Sequence, residues 1–86
     1  MSHSATLVDS EEQFNHILQT AGNTPVIVDF YADWCGPCVE MKPIFEHFAV
    51  EFTGKAIFLK VDVDKQASLS AKFSIQSIPT FICIKN

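Results

Sequence analysis

Hydrophobic and polar positions change their spacing several times along the chain, and each change marks an element. ATLV at residues 5 to 8 is a short apolar run. It is followed by Asp9 and Ser10, either able to cap a helix, with Glu12 and Gln13 placed for a capping box. Phe14, Ile17, Leu18 and Ala21 then recur at helical spacing, which predicts an amphipathic helix with one buried stripe and Gly22 as its stop. PVIVDFYA at 25 to 32 is apolar almost throughout and rich in branched and aromatic residues, as a central strand covered on both faces requires. The helical period returns with Met41, Ile44, Phe45, Phe48, Ala49 and Phe52 and ends at Gly54. Pro43 inside this pattern predicts a kink, and the aromatic stripe is assigned to the core. AIFLKVDV at 56 to 63 predicts another strand. Asp64 is expected to cap a short helix carrying Leu69 and Phe73, and IPTFICI at 78 to 84 is read as a final strand entered through a proline. Strands alternating with helices imply an α/β sheet with helices on both faces. There is no internal repeat, low-complexity segment or linker.

Composition narrows the class. With 86 residues, 48% of them hydrophobic, the chain is expected to form one domain over residues 1–86, with a core that leaves little stability in reserve. Ten acidic residues face six lysines and no arginine, for a net charge of −4. A chain with neither a basic face nor a guanidinium fork is a poor partner for nucleic acid or an anionic membrane. The N-terminus, MSHSATLVDSEEQF, lacks the basic and apolar segments of a secretory signal, and no stretch approaches the length of a membrane span, so a cytoplasmic location is expected. Three cysteines without repeated spacing cannot build a disulfide framework, which points to chemical rather than structural thiols.

The chemistry concentrates in DFYADWCGPC, residues 29 to 38. Cys35 and Cys38 fall on a turn from a buried strand into a helix, at the strand end where open α/β sheets place their sites. The helix start offers free N–H groups and a positive dipole end, both of which favour thiolate over thiol. Cys35, at the outer edge of the turn, is the expected exposed nucleophile. Cys38, one turn into the helix and buried, is the expected resolving thiol that attacks the mixed disulfide formed by Cys35. Pro37 suits an early helical position and stiffens the turn, and Gly36 allows a partner chain to approach closely.

WCGPC after an apolar strand, with IPT about forty residues later, closely resembles the thioredoxin family. The resemblance runs from near the N-terminus to Asn86 and is most specific at Asp29, Trp34 to Cys38, Pro43, Lys60 and Ile78 to Thr80. It implies a thioredoxin-like fold with a central mixed sheet, and a cis bond before Pro79 facing the cysteines, with the Ile78 backbone pairing with an extended substrate. It also implies that Asp29 lies beneath the disulfide and relays the proton of Cys38, with Lys60 nearby. Burial in an apolar strand raises a carboxyl pKa, which makes Asp29 the candidate general base. The implied activity is reduction of disulfides in protein substrates, with electrons resupplied by a flavin-dependent thioredoxin reductase and no cofactor bound to the chain itself.

Alternatives stand beside these readings. Two cysteines three apart also suit a metal or iron–sulfur site, but His3, His16 and His47 show no paired spacing that would complete one. Asp29 could be a buried polar group paired with Lys60, and Trp34 could either pack on the turn or hold a partner. Cys83, inside FICI, reads as a small buried hydrophobe. Two departures from the family pattern matter. Val39 and Glu40 follow the second cysteine where a basic residue is common, and Asn86 falls where the family continues with another strand and a C-terminal helix. A C-terminally truncated sheet would leave IPTFICI as an edge able to pair with a second copy. A non-catalytic polypeptide-binding module is the competing function.

Overall fold

The computed structural model describes residues 5–85, so His3 and Asn86 lie outside the described residues. In chain order the elements are β1 (Thr6–Leu7), α1 (Glu11–Thr20), β2 (Val26–Tyr31), α2 (Gly36–Glu51), β3 (Ile57–Asp62), α3 (Ala67–Lys72) and β4 (Thr80–Ile84). The strands form one mixed sheet in the order β1-β3-β2-β4, with β3 parallel to both β1 and β2, and β4 antiparallel to β2. β2 is therefore interior, as its continuous apolar run requires.

Strand alternation divides the sheet into two faces. Val26, Val28 and Phe30 of β2 join Leu59 and Val61 of β3 under Phe14 of α1 and Leu69 of α3, all fully buried. Phe73 closes this side, meeting Phe14 edge-on and Phe30 at a tilt, each at 5.7 Å between ring centroids. Ile27 and Asp29 point the other way, in register with Phe58 and Lys60 of β3 and with Cys83 and Phe81 of β4. This second face lies under α2, where the buried Phe45 packs on Phe58 and Phe81.

Local chemistry sets the boundaries. Ser10 caps α1 by accepting the Gln13 N–H at 3.0 Å, and Gln13 Oε1 accepts the Asp9 N–H in return. Gly22, at φ +61°, supplies the left-handed turn that ends the helical segment. Pro43 lies inside α2 and removes one donor from its ladder without ending it. The last turn closes at Glu51, and the chain leaves through Gly54 at φ +84°.

Several expectations are corrected. Asp64 does not cap α3: Gln66 holds that position without a side-chain bond, and Asp62 organises the turn by accepting the Asp64 and Lys65 N–H groups. β4 begins at Thr80 rather than Ile78. The α2 stripe is only partly core, because Phe45 is buried while Ile44, Phe48 and Phe52 remain 46%, 44% and 39% exposed. Cys83 is exposed rather than buried, because it sits on the outermost strand on the face that α2 covers incompletely.

Candidate redox site

β2 delivers the chain to the sheet's end at Tyr31. A short turn through Asp33 and Trp34 then leads into α2, whose N-cap is Cys35. Cys35 has extended backbone angles, and its Sγ accepts the Cys38 N–H at 3.2 Å. A sulfur in the cap position takes one of the orphan donors of the helix start, the arrangement that lowers the proton affinity of a thiol. Pro37 occupies the first turn, where its missing N–H costs nothing. A Cβ on Gly36 would meet open space, so the fold itself does not demand glycine there and the surface beside the sulfurs stays unobstructed.

Cys35 and Cys38 are joined in a disulfide, with their Cα atoms 5.2 Å apart. The expected contrast in exposure between them is absent: Cys35 is 5% and Cys38 7% exposed. Ala32, Tyr31, Val63 and Ile78 pack around the pair and shield both sulfurs. What separates them is position, since Cys35 takes the cap bond and Cys38 supplies it.

The Ile78–Pro79 bond is cis, and the Ile78 carbonyl oxygen lies 3.8 Å from Cys35 Sγ. Thr80, half-buried, starts β4 immediately after this bond. Trp34 is 72% exposed, and its Nε1–H donates to Asp64 Oδ2 at 2.8 Å, so the ring is held from the β3–α3 turn rather than packed into the core. With Ile78 it borders a shallow depression beside the cis bond.

Behind the disulfide, a cavity of about 280 Å³ is lined by Asp29, Tyr31, Cys38, Val39, Lys42 and Lys60, among others. Asp29 is 5% exposed, and no group among the described residues hydrogen-bonds its Oδ1. Burial pushes its carboxyl from 3.8 up to about 6, with Lys60 opposing the rise and Glu46 adding to it. Lys60 stands opposite Asp29 across the β2–β3 ladder, but its ion pair is with Glu46, at 3.6 Å, and its ammonium lies 5.2 Å from the centre of the Tyr31 ring. The reading of Asp29 as simply one half of a buried pair with Lys60 is therefore not what the side chains adopt.

Lys42 and Glu46 escaped the reading of the sequence. The available signal was their spacing, since Cys38, Lys42 and Glu46 fall at successive four-residue steps on one face of α2. Among the described residues no helix is long and apolar enough to cross a membrane.

Comparison with known proteins agrees with this arrangement. The thioredoxin family profile matches residues 5–86. A thioredoxin from Staphylococcus saprophyticus is 43% identical over 77 residues, which cover 90% of this chain and 71% of that protein. The peptide-N(4)-(N-acetyl-beta-glucosaminyl)asparagine amidase of Caenorhabditis elegans is 44% identical over 82 residues, 94% of this chain but only 13% of that much longer protein. Among solved structures, a thioredoxin from Nicotiana alata superposes with a TM-score of 0.91 at 29% identity, covering 99% of this chain and 75% of its own. With a disulfide across the first turn of a helix, a cis-proline beside it and a family match along the described fold, the chain belongs to the thioredoxin family.

Proposed function

We propose that the chain is a thiol–disulfide oxidoreductase that reduces disulfides in protein substrates, with Cys35 as nucleophile and Cys38 as resolving thiol. The observation that carries this reading is the Cys35 sulfur at the N-cap of α2, accepting the Cys38 N–H. In the reduced chain that position stabilises a Cys35 thiolate. The thiolate attacks one sulfur of the substrate disulfide, forming a Cys35–substrate bond and expelling the other substrate sulfur, which takes up a proton. Cys38 then loses its proton to the Asp29 carboxylate and attacks Cys35 Sγ. The second substrate thiol leaves, and two electrons have passed from the cysteine pair to the substrate. In this scheme the Cys35–Cys38 disulfide is the oxidised product, and a reductase must return the electrons. A flavin-dependent thioredoxin reductase is the proposed donor, and a reducing compartment such as the cytoplasm is the fitting location.

The Ile78 backbone before the cis-proline offers its polar groups to an extended substrate segment, and Trp34 and Thr80 border that path. Lys60 tunes Asp29. Turnover of a protein disulfide by the chain, with a thioredoxin reductase supplying electrons, tests the proposal. Sustained turnover is expected, and its loss in both Cys35→Ser and Cys38→Ser must follow.

A second reading is favoured by the similarity to the asparagine amidase, which matches this chain over 82 residues within a far longer protein. In that reading the same redox unit serves a larger chain, reducing disulfides in polypeptides on which a neighbouring activity works. A non-catalytic binding module is the least supported alternative, because binding alone would not require the cysteine pair.

A further inference from the structure

We propose that Glu46 is a positioning residue for the proton relay at Asp29: it holds the Lys60 ammonium toward α2 and so keeps it from pairing directly with the Asp29 carboxylate. The inference rests on the proposed oxidoreductase reading for its functional meaning, but its geometry stands on its own. Lys60 and Asp29 are register partners on β3 and β2, the position from which a lysine would be expected to neutralise a buried carboxylate. Instead the ammonium pairs with Glu46 Oε2 at 3.6 Å, in a setting where the Lys60 and Glu46 side chains are only 15% and 28% exposed. Glu46 is itself held in place, because its other oxygen, Oε1, accepts the Ala5 N–H at 3.1 Å at the start of the described chain. One carboxylate thus ties α2 both to the strand carrying Lys60 and to the segment entering β1.

Among the described residues the groups facing Asp29 are few. Tyr31 lies on its own strand, Asp33 in the turn that follows, Lys60 on β3, and Cys38, Lys42 and Glu46 on α2, while β4 offers only the apolar Phe81 opposite it. Lys60 favours the charged carboxylate and Glu46 disfavours it, in line with the causes already given for the raised carboxyl. With Lys60 diverted, Asp29 keeps a proton affinity near neutrality, where a base for a thiol works best. A chain in which Lys60 paired with Asp29 would hold that carboxylate charged and weaken it as a base.

The test is a titration of the Asp29 carboxyl, followed by carbon NMR of the oxidised chain labelled at aspartate. It compares the unmodified protein with Glu46→Gln, Lys60→Met, the double variant and Glu46→Asp. Glutamine keeps a carbonyl oxygen for the Ala5 N–H while removing the charge. Glu46→Gln should lower the Asp29 midpoint by about half a pH unit or more, an effect of the size a half-buried charge exerts across one side-chain layer. Lys60→Met should raise it. In the Lys60→Met background the Glu46→Gln effect should be clearly smaller, and Glu46→Asp should restore most of the original midpoint. An unmoved Asp29 midpoint in Glu46→Gln overturns the inference, as does an equal shift with and without Lys60. Because this titration needs no substrate, a chain that titrates as stated yet turns over no disulfide would sink the proposed function and leave the Glu46 assignment standing. A chain that turns over with an unmoved midpoint would do the reverse.

Discussion

Replacing Asp29 with asparagine should make the protein more stable at alkaline pH and slower at resolving its mixed disulfide. The carboxyl is pushed from 3.8 up to about 6 on folding, chiefly by burial. Its proton is therefore held more tightly in the folded than in the unfolded chain. The folded state has its full stability below pH 3.8 and loses part of it as the pH rises through about 6. At 1.36 kcal/mol per pH unit the whole penalty is about 3 kcal/mol, and roughly half of it is already present at about pH 5. Asp29→Asn keeps the shape and removes the charge. An amide seated without an acceptor costs on the order of 1–2 kcal/mol at every pH, so the clean quantity is the change with pH rather than the absolute gain. Between about pH 5 and about pH 8 the unmodified chain should lose about 1.5 kcal/mol relative to the variant. Urea unfolding with the disulfide intact measures this. For a domain of this size the midpoint difference between the two proteins should widen by about 1 M or more. Parallel loss of stability in the two proteins over this range would refute the burial argument for Asp29.

The α2 face and the edge strand give further tests. Phe45→Ala should cost about 3–4 kcal/mol in denaturant unfolding because it empties the contact between Phe58 and Phe81, whereas Phe48→Ala, already 44% exposed, should cost less than about 1 kcal/mol. Equal costs would mean that the α2 stripe is buried in solution. Cys83 should take up one equivalent of a maleimide in the oxidised chain under native conditions, read by mass spectrometry, because it is the free and exposed thiol among the described residues. Failure to label without denaturant would show that Cys83 is covered.

Elements whose signals are local were legible in the sequence. Ser10 and Gln13 announced the start of α1, and the continuous apolar run of β2 announced an interior strand. The Cys35–Cys38 spacing placed the sulfurs at the start of α2, and the resemblance placed the cis bond before Pro79. Periodicity also showed correctly that Met41, Phe45, Phe48 and Phe52 share a side of α2. It could not show how much of that side is covered, since covering depends on what packs there and not on the helix itself. Cys83 failed for the same reason: the edge position of IPTFICI was expected, and the strand order bears it out, but how little of the Ile27 face α2 covers at that edge was not legible. The Asp64 cap failed because Asp62, two residues earlier, organises the turn instead. Lys60 was identified, yet its diversion to Glu46 depends on how closely α2 approaches β3, which no spacing along the chain specifies.

The central claim, that Cys35 attacks and Cys38 resolves, is tested most directly by trapping. Both sulfurs are shielded to a similar degree, so exposure cannot decide between them. The reduced Cys38→Ser chain, mixed with a protein disulfide and digested without reductant, should yield a mixed disulfide joined through Cys35 that persists because nothing resolves it. Peptide mass spectrometry locates the bond. A stable adduct at Cys35, with none formed by the Cys35→Ser chain through Cys38, is the expected result. An adduct through Cys38 in the Cys35→Ser chain of equal yield, or one confined to Cys83, would contradict the assignment.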